Sequence, residues 1–541
     1  LANSAPSNGI DNSSRRSSRR RRSSSSNPFT TANADISGQR GRRRRSRHRG
    51  ESKAPALMPP RYRLTHVGLP QTGVLVIIGA LVAALFLGGG GTTNPDSETA
   101  LQVIVALTIA LQLLWPRLQT GLGPVPRSAW AIAALVIVIP VAQLIPLPPS
   151  LWHALPGRDV EVAALSLIGA ADRWMPWSMA PGRTFISLLA TVIPLVLLLV
   201  VSRTDLAGRM WICATIVLFA LLSIPLGTLQ ISRAGGHNWT LYAYSHTGVI
   251  VGFQANHNAE ADVLAIALLA AGVLACGWVD KVRNRTAFWC ATGLTVAILT
   301  ITALLTGSRT GIVLLPVAVI GCLAMLWPVM RQHMSAGRLW LMLLGGAAVA
   351  ALALLSGLRS IDRILARFSN LKDARSDIWK DTVEAIGTIW PAGSGVGSFP
   401  PIFNAHERLE VVTNTFAGRA HNDWLEWTLE GGLPGLVVLA ALLGLLIWLL
   451  WRRIVAERSD QATLLSRAQA VFACGVLVIL GAHGLDDFPF RSMALASLAA
   501  VAAAMLLVPY RQATQPLAMP RPDTEPDADT AAATGIVAEL A

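Results

Sequence analysis

A histidine placed just ahead of a helix start, with arginines in three other segments, is where this sequence points to chemistry. His421 stands in Ala420–Gly435, AHNDWLEWTLEGGLPG. Asp423 followed by Glu426 has the spacing of a capping box, which predicts a helix beginning at Asp423. His421 then lies outside the hydrogen-bonded ladder. There the positive end of the helix dipole disfavours imidazolium, and a neutral imidazole can take a proton. A buried histidine bonded for structure is the alternative. Asn422, Asp423 and Glu426 are candidate neighbours of that group, although an acid-rich first turn suits the dipole without any function.

Three arginines can serve an anion. Arg309 lies in the turn TGSRTG (Thr306–Gly311), Arg375 opens the stretch SDIWKDTVEAIGTIW (Ser376–Trp390), and Arg183 closes WSMAPGRT. Guanidinium forks bind phosphate oxygens in pairs, so the set suits a diphosphate. Snorkelling of Arg309 to lipid phosphate, or pairing of Arg375 with a nearby Asp, are the plainer readings. His257 in GFQANHNAEA, and His483, Asp486 and Asp487 in AHGLDDFPFR, can orient a catalytic group or satisfy one another and Arg491. Neither His257 nor His421 gathers a second histidine at ligand spacing, and Asp527 and Asp529 fall in a polar tail, so no metal is expected. GSGVGS (Gly393–Ser398) follows Trp390-Pro391 rather than a strand and reads as a turn, not a nucleotide loop. No cofactor is implied.

The elements that position these residues are transmembrane helices. Of 541 residues, 52% are hydrophobic and only 14% charged. Twelve apolar stretches, about 17–22 residues each, recur between residues 72 and 509, the ninth at 339–357, and roughly 20 such residues cross a bilayer. The fold class is therefore an all-α polytopic membrane protein of about 12 transmembrane helices, which excludes an ordinary soluble domain. Cys213, Cys276, Cys290, Cys322 and Cys474 fall within apolar runs and read as small core residues.

Charge is distributed unevenly. Residues 1–65 form a Ser/Arg-rich head, where fifteen Arg and Lys53 face only Asp11, Asp35 and Glu51 and account for nearly all of the net charge of +14. Its composition predicts disorder and contact with anionic membrane lipids, whereas nucleic acid is not an expected partner because aromatic side chains are scarce. With the head inside, short inner loops hold Arg117, Arg127, Arg203, Arg209, Lys281, Arg283 and Arg285, a positive-inside pattern that leaves both termini cytoplasmic. Residues 66–509 form the membrane domain, and 510–541 form a disordered tail. The loop 358–432 faces outward. It contains Trp379, Trp390, Phe399, Phe403, Phe416, Trp424 and Trp427 and should fold as a cap. The stretch Ser376–Trp390 is amphipathic, either lying in the membrane interface or packing on the cap's own core.

From about Leu144 to Arg491 the chain resembles the O-antigen ligase and polymerase superfamily of bacterial envelope enzymes. The carriers are IPLP, WSMAPGRT, GFQANHNAEA, TGSRTG, ARSDIW, GSGVGSF, AHNDWLEWTLEGGLPG and HGLDDFPF, in that order. The resemblance implies a metal-independent glycosyltransferase of the bacterial inner membrane, with its site facing the periplasm. The donor would be a polyprenyl-diphosphate-linked glycan, and the acceptor a hydroxyl on a glycan, a lipid A core or a protein. It matches the family's large-loop histidine to His421 and its phosphate-site arginines to Arg309 and Arg375. A single displacement would invert the anomeric carbon. Repeat-unit polymerisation and protein glycosylation stay open within the class, and a transporter or flippase outside it. Removing residues 1–60 is expected to leave glycan transfer by isolated membranes intact; loss of transfer at normal protein level would give the head a catalytic or scaffolding part.

Overall fold

The computed structural model describes residues 69–90, 95–232, 236–333, 375–412, 416–457 and 463–510. The basic head, the tail beyond Tyr510, the apolar stretch 339–357 and the beginning of the 358–432 loop lie outside the described residues. Within them the chain is helical, apart from a two-residue antiparallel pairing of β1 (Pro146–Leu147) with β2 (Met175–Pro176). The helices that build the membrane part are α1 (Thr72–Leu87), α2 (Pro95–Leu114), α3 (Arg127–Gln143), α4 (Pro181–Val201), α5 (Leu206–Ser232), α6 (His257–Trp278), α7 (Arg285–Leu305) and α8 (Arg309–His333). Two cap helices follow, α9 (Arg375–Ile389) and α10 (Phe399–His406), and then α11 (Asp423–Glu457), α12 (Leu464–His483) and α13 (Met493–Leu506). Among the described residues, 8 helices are long and apolar enough to cross a membrane, while α1, α3 and α13 are shorter apolar helices. Together they account for every expected apolar stretch except 339–357.

The centre of the bundle is α6. Every residue from Asn258 to Gly277 is buried, because Ala and Gly dominate its surface and let α5, α7, α8, α12 and α13 approach closely. At Gly272 an added Cβ would stand 2.7 Å from Met325 Cε. In contrast, α2, α7 and α11 bury few of their side chains within the bundle, as lipid-facing helices do. Arg452 lies 4.9 Å from the Trp448 ring and Arg331 5.7 Å from the Trp327 ring, both toward the C-terminal ends of their helices. Aromatic rings paired with cations at helix ends are typical of a membrane–water boundary.

Above the bundle, Ile378, Ala385, Ile386 and Ile389 of α9 pack with Phe399, Ile402, Phe403, Ala420 and Leu429. The amphipathic stretch thus faces the cap's own core, leaving Val383 and Trp390 exposed. GSGVGS is a turn, with positive φ at Gly393, Gly395 and Gly397. The Gln143 side chain at the end of α3 ties it down. Its Oε1 accepts from Val396 N at 2.9 Å, and its Nε2 donates to Glu430 O at 2.9 Å.

The same turn bends α11. At Gly432 the backbone takes φ 57° and ψ −155°, a combination open in practice only to glycine. A Cβ there would fall 2.3 Å from Pro391 O. The bend separates the cap part of α11, which carries the acidic residues, from the apolar part that begins at Leu433. Gly432→Ala is expected to lower the thermal unfolding midpoint in detergent, with about 1–3 kcal/mol from backbone strain alone; an unchanged midpoint would show that the bend tolerates a side chain.

Candidate active site

At one end of the bundle α6, α8 and α11 begin and α12 ends, so four helix termini gather around the connection 484–492 between α12 and α13. That connection carries two adjacent carboxylates, and each takes different partners. Asp487 Oδ1 is 3.1 Å from His421 Nδ1. Its Oδ2 accepts from Asn258 Nδ2 at 2.7 Å and from Asn256 Nδ2 at 3.2 Å. Asp486 Oδ2 pairs with Arg375 Nη1 at 2.8 Å and also accepts from the Thr310 hydroxyl. Burial would raise the Asp487 carboxyl, but hydrogen bonds from His421 and Asn258 and the nearby His483 hold it well below the usual carboxylate range. A carboxylate can only accept, so the hydrogen between His421 and Asp487 belongs to Nδ1, and Nε2 is left as the proton-accepting atom.

Local sequence explains how His421 is held. Its φ is +50°, a left-handed conformation that costs an ordinary residue of order 1 kcal/mol or more and clusters at functional sites. Asn422 is the cap of α11, its Oδ1 accepting from Leu425 N at 3.0 Å. This corrects the expectation that Asp423 and Glu426 form the capping box: the helix does begin at Asp423, but the cap is one residue earlier. Asp423 N donates to Gly484 O at 2.8 Å and to Asp487 O at 3.2 Å, which joins the helix start to the end of α12. Phe488 sits edge-on to the His421 ring, with centroids 5.0 Å apart.

The acidic residues of α11 are scaffold. Glu426 accepts from Ala420 N at 3.0 Å and pairs with Arg419 Nη1 at 3.0 Å. Arg491 reaches Glu430 Oε2 at 2.7 Å, Glu426 Oε1 at 3.4 Å and Asp423 Oδ1 at 3.6 Å. Burial would lower the Arg491 guanidinium, but the carboxylates of Glu430, Glu426 and Asp423 hold it above its ordinary range. Arg491 therefore serves these three, and neither Asp486 nor Asp487 depends on it.

Arg309 is the first residue of α8, half-buried and next to Thr310. The turn before it is built by Ser308, whose Oγ accepts from Gly311 N at 3.0 Å. Arg375, Thr310 and His421 are thus brought together through the Asp486-Asp487 pair, and Arg309 adjoins Thr310 in sequence. Arg183 is not: it is exposed at the start of α4, its backbone lies against Gly397, and among the described residues no hydrogen bond or ion pair joins it to His421, Asp486 or Asp487. His257 turns to His246, with Nδ1 atoms 2.6 Å apart, and it is the flanking Asn256 and Asn258 that reach the site. Those two asparagines are the contacts that sequence reasoning did not assign, while Asp487 was among the groups expected to orient a catalytic residue. Among the described residues, no group of three or more His, Cys, Asp or Glu is placed to hold a metal ion.

Residues 294–440 match the family model described as O-antigen ligase. That stretch is similar to an O-antigen ligase domain. No curated protein matches the chain. The matched stretch runs from within α7 to beyond the bend of α11 and includes Arg309, Arg375 and His421. Asp486 and Asp487, which meet Thr310, Arg375 and His421, and Asn256 and Asn258, which bond Asp487, come from outside it, so the candidate site is assembled from the matched stretch and the helices packed around it. Replacing Arg491 with Met would strand the buried carboxylates of Asp423 and Glu430 and leave Glu426 with Arg419 alone. It is expected to cost about 3–5 kcal/mol and to deplete folded protein from the membrane, as read by size-exclusion of a detergent-extracted fluorescent fusion; a normal monodisperse peak would show that the acids are satisfied without it.

Proposed function

We propose that the chain transfers a glycan from a polyprenyl-diphosphate carrier to an acceptor hydroxyl, at the outer face of a bacterial inner membrane. The observation that carries this reading is the meeting of an oriented imidazole, an arginine and the α8 turn on two adjacent carboxylates at a bundle end. The match of residues 294–440 to the O-antigen ligase family model supports it. The placement of Arg203, Arg209, Lys281, Arg283 and Arg285 at the opposite helix ends supports the sidedness.

In the reaction, the acceptor oxygen attacks the anomeric carbon while the bond from that carbon to the diphosphate oxygen breaks. The bonding pair leaves with the diphosphate, and the acceptor's proton passes to His421 Nε2. Asp487 holds the ring through Nδ1 and balances the imidazolium that forms, as a carboxylate does behind a catalytic histidine. Arg375 and Arg309 take up the charge growing on the leaving group. Pairing of Nη1 with Asp486 fixes the plane of the Arg375 fork, which has five N–H donors in all. A diphosphate leaves readily, so neither nucleotide hydrolysis nor a metal enters this scheme. In-line displacement inverts the anomeric centre. Ligation to lipid A core, repeat-unit polymerisation and protein glycosylation share this step and differ only in the acceptor.

The test is transfer in proteoliposomes supplied with a polyprenyl-diphosphate glycan and separate candidate acceptors. His421→Ala is expected to reduce turnover by about 100-fold or more, and Arg309→Ala and Arg375→Ala to abolish transfer, all at normal membrane abundance. Full activity in both arginine variants would remove the diphosphate clamp, and full activity in His421→Ala would remove the base.

A further inference from the structure

A second histidine–carboxylate pair lies beneath the first. His483 Nδ1 at the end of α12 is 2.7 Å from Asp262 Oδ1 on α6, and both side chains are 2% exposed or less. Their other polar atoms, His483 Nε2 and Asp262 Oδ2, have no hydrogen-bond partner although fully buried. Both residues line a cavity of about 20 Å³, whose wall also includes Asn256, Asn258, Asp487 and Ala259. A space of this size holds one water, and a buried water needs two or more polar partners. Two buried polar atoms without a partner on that wall, together with the carboxylate that holds His421, meet the requirement.

We propose that one water in this cavity joins the Asp262–His483 pair to Asp487, and that the pair is a positioning unit for the proton-accepting state of His421. The inference rests on the reading of His421 as the base. When the acceptor's proton arrives on His421, Asp487 becomes half of an ion pair. The water can turn its hydrogens toward or away from Asp487 as His483 Nε2 donates or accepts, so the buried pair adjusts the field at Asp487 without touching substrate. The charged groups around the pair are Asp486 and Asp487 on the connection after α12, His421 at the start of α11 and Arg375 at the start of α9. Glu260, two residues before Asp262, is occupied with the Ser223 hydroxyl of α5.

The experiment uses the full chain in proteoliposomes with three variants. Asp262→Asn and His483→Gln keep the size of each side chain. Ala259→Val fills the cavity and leaves every ionisable group in place. Two quantities are measured: the pH profile of kcat for glycan transfer, and the pH dependence of His421 modification by diethyl pyrocarbonate, read by mass spectrometry. All three variants are expected to move the His421 modification midpoint by about one pH unit. They should lower kcat about tenfold, with KM for donor and acceptor within about twofold. Unshifted midpoints in Ala259→Val and in either polar variant would overturn the proposal. So would loss of folded protein in the polar variants with an unshifted Ala259→Val, since the pair would then be structural only. Shifted midpoints in the variants, alongside a wild-type protein that transfers no glycan, would leave this link standing and remove the function proposed above.

Discussion

One buried guanidinium sets the geometry of the site. Arg491 faces Asp423, Glu426 and Glu430, three carboxylates on the first turns of α11, with Arg419 as a second cation. Carboxylates removed from water without a cation are too costly to keep ionised, so α11 must begin where Arg491 is. Arg491 sits four residues after Asp487 on the same short connection. Anchoring the helix there leaves His421, just before the cap, no place but beside Asp487. Its left-handed backbone follows from the same constraint, since the chain must turn sharply from Ala420, held by Glu426, into the cap at Asn422.

Adjacent carboxylates in an irregular connection point apart, and this site uses that divergence. Asp487 turns inward to His421 and the two asparagines at the start of α6, while Asp486 turns to Arg375 and Thr310. A histidine and an arginine are therefore linked through one peptide bond while keeping separate charge partners. In the proposed reaction, a diphosphate ester and an attacking hydroxyl need this kind of separation within the reach of a single reacting carbon.

The helices were legible because their signal is continuous: apolar stretches of bilayer length announce themselves, and eleven of the twelve expected here coincide with helices. His421 was legible because it precedes an acid-rich helix start. What stayed hidden were pairings between short polar side chains far apart in the chain. Asn256 and Asn258 meet Asp487 across 231 and 229 positions, and His421 meets it across 66. Such contacts have no period and no local composition; they depend on which helix ends share one side of the bundle. The same limit explains why Asp423 was taken for the cap. Asn422 and Asp423 are both good capping residues, and the choice was decided by Phe490 N, which donates to Asp423 Oδ2 at 2.9 Å. Arg183 shared the composition of an anion ligand but lies on α4, whose start is occupied with the glycine turn of the cap.

The sheathing of α6 by its neighbours has a consequence for how the protein meets different membranes. Helices with lipid on one side tilt when hydrocarbon thickness changes, at a cost of fractions of a kcal/mol per Å. α6 has no lipid-facing side, so changes in acyl-chain length reach it only as small adjustments of the surrounding ring. Asn258 and Asp262 ride on that sheltered rod, and their distances to Asp487 and His483 should hold steady as the lipid composition changes.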